Sequence, residues 1–112
     1  MALPLKYRLS KSREIEEVLK RGRSFGSGLF QIRFLPAAPG LKKFAFIVGL
    51  KVSKKAVIRN RIKRKISETI RLNILKIKPG YLIVIVVKPQ AANEELKKLE
   101  EDLGDGLVKI GR

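Results

Sequence analysis

Residues 51–78 read KVSKKAVIRNRIKRKISETIRLNILKIK and carry eleven Lys and Arg residues against one acid, Glu68. This segment supplies +10 of the formal net charge of +16. Isoleucines recur every four residues from Ile58 to Ile70, and at roughly 100° per residue they fall on one side of a helix. The spacing predicts an amphipathic helix with an isoleucine core face and a cationic outer face.

The start of this helix carries charge of the unexpected sign. Lys54, Lys55, Arg59 and Arg61 lie at or just before the helix N-terminus, where the macrodipole favours acids and each cation costs a few tenths of a kcal/mol, roughly. A run of charge is often only a solvated face. Phosphate groups would reverse the cost, because side-chain cations, free N–H groups and the dipole would then meet one anion. The pattern therefore favours a nucleic-acid partner.

The amino-acid composition argues against catalysis by the side chains of this protein. Cysteine and histidine are absent, which removes thiol ligands and the commonest general base and metal ligand. The acids fall in two runs, residues 14–17 and 94–105, apart from Glu68. We therefore expect no catalytic residue, no metal site and no tightly bound cofactor.

The apolar segments of the sequence are short, and their length bears on the cellular compartment of the protein. The longest, residues 44–50 and 81–87, have about seven residues, far fewer than the roughly 20 that span a bilayer. The N-terminus lacks the apolar segment of a signal peptide. With no cysteine, the chain is expected to be cytoplasmic, with no membrane partner.

The rest of the chain predicts one domain, residues 1–112. Ser12 is the expected N-cap of a first helix that runs to about Lys20. Asn93 is the expected N-cap of the last helix, which residues 104–106, Gly-Asp-Gly, should interrupt. Between these helices we expect a turn or short strand in residues 22–28, strands at 29–35, 44–50 and 81–87, and the basic helix, ended by Pro79 and Gly80.

This order predicts a mixed α+β fold, with one sheet of about four strands and three helices in the order α-β-β-β-α-β-α. The strand–basic helix–strand segment could form a parallel crossover, for which the right hand is the rule.

Two motifs carry a resemblance to a known family. Residues 49–55, GLKVSKK, followed by residues 59–64, RNRIKR, resemble the bacterial ribonuclease P protein subunit. The resemblance implies the same fold with a left-handed crossover. It also implies the protein partner of a catalytic RNA that removes 5′ leaders from precursor tRNA, with Mg²⁺ used by the RNA and a monomer in a 1:1 protein–RNA complex.

The resemblance also implies two binding surfaces. The first meets the catalytic RNA and matches Lys54, Lys55, Arg59, Asn60, Arg61, Lys63 and Arg64. The second is a cleft between the first helix and the sheet that holds the 5′ leader, and it matches Arg8, Lys11, Ile15, Leu19, Phe30, Ile32, Val48, Leu50, Lys51 and Ser53.

The chain departs from the family pattern at several positions. Family members often have aromatic residues where this chain has Ile15, Leu19 and Arg33, so apolar or cationic contacts replace stacking there. Between Lys55 and Ala56 the family usually has a few extra residues, including Gly, so the loop before the basic helix is shorter in this chain.

Two other functions remain open on residue grounds. One is a small basic endoribonuclease of the ribosome-dependent toxin type. The other is a ribosomal or helix-turn-helix nucleic-acid binder with no coupled reaction. Cleavage of RNA by the protein alone would identify the first.

Overall fold

The computed structural model describes residues 3–111, and its helices and strands follow the predicted order. The confirmed elements are helix α1 (Ser12–Arg21), strands β1 (Arg23–Gly26), β2 (Phe30–Pro36) and β3 (Lys42–Ile47), helix α2 (Ala56–Asn73), strand β4 (Tyr81–Val87) and helix α3 (Leu96–Lys109). Short 3₁₀ turns at Leu5–Tyr7 and Pro89–Asn93 add to them.

The four strands form one mixed sheet in the order β1-β2-β4-β3. Strand β2 pairs antiparallel with β1 and β4, whereas β3 and β4 are parallel neighbours joined through α2. The predicted parallel crossover is therefore confirmed, and its left hand stays a prediction. Strand β3 lies at the edge of the sheet, and Arg8 forms a parallel bridge to it at Phe44.

Helices cover both faces of the sheet. On one face, Ile32 and Ile85 are fully buried in a core that also takes in isoleucines of α2 and leucines of α3. On the other face, Leu82 and Val84 pack with Val18 of α1. The alternation of side chains along each strand divides the two cores.

Helix α2 forms as the isoleucine spacing predicts, with Ile62, Ile66 and Ile70 at most 3% exposed. It ends at Asn73, so the prediction that Pro79 and Gly80 end the helix is wrong. Gly80 instead makes the turn into β4 with φ +96°, and its N–H donates to the Leu41 carbonyl at 2.7 Å. Glycine adopts this left-handed conformation without steric cost.

Two further predictions about helix ends are wrong. Ser12 is the first residue of α1 and Lys11 is its N-cap, with no side-chain capping bond. Asn93 closes a 3₁₀ turn, and α3 begins at Leu96 after Glu95.

Nor does the Gly-Asp-Gly sequence interrupt α3, which continues to Lys109. A Cβ at Gly106 would lie 2.9 Å from Ile32 Cδ1, so this glycine allows α3 to approach β2 closely.

Candidate nucleic-acid interface

Helix α2 carries most of the predicted interface on its solvent side. Asn60, Arg61, Lys63 and Arg64 are all exposed. Its first turn contains no acid, and the side chain of its N-cap residue, Lys55, makes no capping hydrogen bond within residues 3–111. A helix start of this kind favours an anion, because its N–H groups and dipole are not compensated by the protein.

A cleft of about 750 Å³ lies along one flank of α2. We call it the α2 cleft. The lining comes from edge strand β3 (Phe44, Ala45 and Phe46), from the N-terminal segment that bridges to this strand at Arg8, from α1 and from α2. The remaining lining residues are Leu3, Arg8, Leu9, Ser10, Ile15, Val57, Asn60, Lys63, Arg64 and Ser67.

Among residues 3–111, the α2 cleft is lined by three cations, Arg8, Lys63 and Arg64, and by no acid. Within residues 3–111, neither Lys63 nor Arg64 forms an ion pair. Arg8 is held by a hydrogen bond from its Nε to the Leu3 carbonyl at 2.7 Å. The positive charge of the α2 cleft is therefore not neutralised within the described chain and can attract an anion.

The structure joins residues that were predicted to lie on separate surfaces. Arg8 and Ile15, expected in the leader cleft, line the same cleft as Asn60, Lys63 and Arg64. Sequence reasoning missed Val57 and Ser67, although both follow the helical spacing of Asn60 and Arg64. That spacing was the available signal.

Arg59 differs from its neighbours because it is bonded to the protein. It is half-buried, and its Nη1 donates to the Ser53 carbonyl at 2.9 Å. Ser53 Oγ in turn accepts from the Lys55 N–H at 3.1 Å. Arg59 thus anchors the loop before α2, which carries Leu50, Lys51, Lys54 and Lys55, all of them exposed.

Three residues predicted to line the leader cleft face the wrong way. Phe30 and Ile32 are fully buried on the face covered by α2 and α3, and Val48 packs against that same core. The reason is the alternation of β2, in which 30 and 32 point away from α1. These three residues cannot line a cleft between α1 and the sheet.

The sheet face toward α1 carries other residues. Gln31 and Arg33 pair with Val86 and Val84 of β4, which belong to the core beneath α1. Ile47 of β3 lies there too, and Ile15 and Leu19 pack against the same core from α1. Lys11 is exposed at the start of α1.

Arg33 is tied to the end of α1 rather than left free. Its Nη2 donates to the Gly22 carbonyl at 3.2 Å, near the negative end of the helix. Its buried Nε has no hydrogen-bond partner among residues 3–111. The guanidinium of Arg33 therefore links β2 to the C-terminal end of α1.

The other flank of α2 is closed by an ion-pair network with α3. Lys65 Nζ lies 2.8 Å from Glu68 and 3.0 Å from Glu100. The hydrogen bond to Glu68, then the one to Glu100, raises the pKa of Lys65 despite partial burial. The same bond to Lys65 lowers the pKa of Glu68. Glu68 therefore pairs with a lysine of its own helix.

The part of the chain that the structure describes has no cluster of three or more potential metal ligands among His, Cys, Asp and Glu. In residues 3–111, no helix combines the length and the apolar character needed to cross a membrane.

Comparisons with known proteins agree on one family. Residues 3–111 match the family model described as Ribonuclease P. The ribonuclease P protein component of Picosynechococcus sp. is 35% identical over 109 residues, which cover 97% of this chain and 94% of the relative. That of Rippkaea orientalis is 38% identical over 114 residues, with 97% and 90% covered.

The fold is similar to solved structures as well. The ribonuclease P protein from Thermotoga maritima superposes with a TM-score of 0.85 at 25% identity, covering 94% of this chain and 98% of that one.

Proposed function

The chain belongs to the ribonuclease P protein family, and from that premise we propose that it binds the catalytic RNA through the cationic flank of α2 and the precursor tRNA leader beside α1. Members of the family are the protein component of an RNA-based endoribonuclease that acts in 5′ maturation of tRNA. The toxin and plain-binder alternatives are not favoured.

The observation that carries the proposal is the uncompensated charge of the α2 cleft. Cations that serve only the fold would be expected to bond to acceptors of the protein, as Lys65 does to two carboxylates and Arg59 does to a carbonyl. Lys63 and Arg64 are exposed and face a cleft with no acid. Such a surface neutralises phosphates and gains affinity from the release of counterions.

The proposed RNA-binding set keeps the predicted residues and gives Arg59 a positioning role. Arg59 fixes the loop that presents Lys54 and Lys55, while Asn60, Arg61, Lys63 and Arg64 face the RNA. The proposed leader surface consists of Arg8, Lys11, Ile15, Leu19, Gln31, Arg33, Ile47, Leu50, Lys51, Ser53 and Val86.

In this proposal the protein supplies binding and charge, and the RNA supplies the reaction. The lining of the α2 cleft offers no carboxylate to hold Mg²⁺, so the Mg²⁺ ions are bound by RNA. Cations beside the bound strands reduce phosphate repulsion, which lowers the Mg²⁺ concentration that the RNA requires. The protein acts as one cytoplasmic domain and a monomer, in a 1:1 complex.

A reconstitution assay tests the proposal. Precursor tRNA is incubated with the protein, with the catalytic RNA, or with both, over a series of Mg²⁺ concentrations. We expect cleavage at low Mg²⁺ only with both components, and cleavage by the RNA alone at high Mg²⁺. Cleavage by the protein alone, or no effect of the protein on the Mg²⁺ requirement, would contradict the proposal.

A further inference from the structure

We propose that the α2 cleft holds one unpaired nucleotide of the catalytic RNA, with the base inserted between α2 and β3 and the phosphates at the cationic rim. This inference rests on the proposed function, because it names what part of the RNA enters the cleft. A nucleotide with an adenine base suits the polar groups best.

The size and lining of the α2 cleft fit a nucleobase. Its volume of about 750 Å³ lies within the roughly 300–1,000 Å³ of small-ligand sites. Ala45 and Phe46 present apolar surface from β3, and Val57 presents it from α2 while remaining 69% exposed. A base has two apolar faces that gain by covering such side chains.

Charge at the rim fits the phosphates on either side of that base. Arg8 lies on the N-terminal wall, and Lys63 and Arg64 lie on α2. A nucleotide inserted between these walls would therefore meet cations on both sides. An apolar peptide would leave these charges unused, so charge complementarity favours a nucleotide.

Polar groups are also present for the edge of the base. The Phe44 carbonyl accepts from the Leu9 N–H at 2.8 Å, so the backbone groups of Phe44 point away from β4. Phe46, two residues on, points its backbone groups the same way, and it lines the cleft. Asn60 adds a side-chain amide that can donate one hydrogen bond and accept another, and the edge of an adenine base satisfies both.

A substitution that adds a positively charged side chain distinguishes insertion of a base from simple electrostatic attraction. Val57→Lys places a charged chain at the apolar wall, and Leu72→Lys adds the same charge at a 63% exposed site of α2 outside the cleft. Both side chains are exposed, so both variants should fold. Binding of the catalytic RNA to each is measured at fixed salt.

We expect Val57→Lys to weaken RNA binding about tenfold, within the range for lost base contacts, while Leu72→Lys binds as tightly as the wild type or tighter. Equal or tighter binding by Val57→Lys would overturn the insertion of a base and leave the proposed function intact. Failure of the wild-type protein to bind the RNA would contradict the proposed function itself.

A titration of the free protein gives a second readout. AMP and ribose 5-phosphate carry the same phosphate, and only AMP has a base. By NMR, we expect AMP to bind at least about fivefold more tightly than ribose 5-phosphate, a ratio that corresponds to an energy within the range for stacking one base. We also expect AMP to shift resonances of Val57, Asn60 and Phe46. Equal affinities, or shifts confined to Arg8, Lys63 and Arg64, would overturn the inference.

Discussion

The two flanks of helix α2 carry similar residues in different surroundings. Toward α3, Lys65 is 18% exposed and bonds to two carboxylates, and Thr69 and Asn73 bond to carbonyls of the helix. Toward the α2 cleft, Lys63 and Arg64 are exposed, and the described lining of the cleft contains no acid. The difference shows how to distinguish a lysine or arginine that stabilises the fold from one that is available to bind RNA. The distinction lies in the groups that bond to the side chain, and not in the residue type.

The largest expected effect comes from the isoleucine stripe between the two flanks. Ile62→Ala removes a side chain that is 3% exposed, and the cavity should lower the free energy of unfolding by about 2–5 kcal/mol. Chemical denaturation measures this loss. The folded fraction should still bind RNA, since Ile62 lies outside the cleft lining. A decrease of less than roughly 1 kcal/mol in the free energy of unfolding would contradict the close packing of Ile62.

The next effect concerns Arg59, the cation near the helix start that serves the fold. Arg59→Ala removes the bond to the Ser53 carbonyl and should cost about 1 kcal/mol of stability. Hydrogen exchange in residues 49–55 should accelerate. Arg61→Ala, at an exposed site of the same helix, is the control and should stay within about 0.5 kcal/mol of wild type. Unchanged exchange in Arg59→Ala would refute the anchoring role.

A smaller effect is expected at the closed flank. Glu100→Gln weakens the contact between α3 and Lys65 and should cost less than about 1 kcal/mol, as exposed ion pairs do. Affinity for RNA should not fall, because the change raises the net charge by one. Loss of RNA binding with unchanged stability would reverse the assignment of the two flanks.

The smallest effect is a dependence on pH. The hydrogen bond from Lys65 holds the pKa of Glu68 below its ordinary value of 4.5, so the ionised carboxylate stabilises the folded state above that value. This contribution is lost as the pH falls through the lowered pKa. Wild type should be more stable than Glu68→Gln near neutral pH, and denaturation curves should converge in acid. A constant difference would argue against the ion pair.

Much of the fold could be predicted because hydrophobic periodicity is local. The four-residue spacing of isoleucines located α2, and alternation in residues 29–35 located β2. Helix ends were harder, because tertiary contacts decide them. Gly106 remains helical where α3 packs closely on Ile32, and the residues next to Gly106 in the sequence do not predict that contact.

The candidate site could be predicted only in part. The exposed residues of α2 follow from its own periodicity. The errors at Phe30 and Ile32 arose because the sequence shows two faces of β2 without showing which helix covers each face. The α2 cleft depends on β3 lying at the sheet edge beside residues 8–10, and strand order is set by long-range pairing.

The salt dependence of RNA binding tests the central claim, that the cleft flank of α2 binds phosphate and the exposed lysines of α3 do not. Lys63→Ala/Arg64→Ala is compared with Lys97→Ala/Lys98→Ala, which removes two exposed charges from α3. The cleft pair should lower the slope of log K against log salt by roughly 1.4–1.8, and the α3 pair should leave the slope nearly unchanged. Equal reductions by the two pairs would contradict the account.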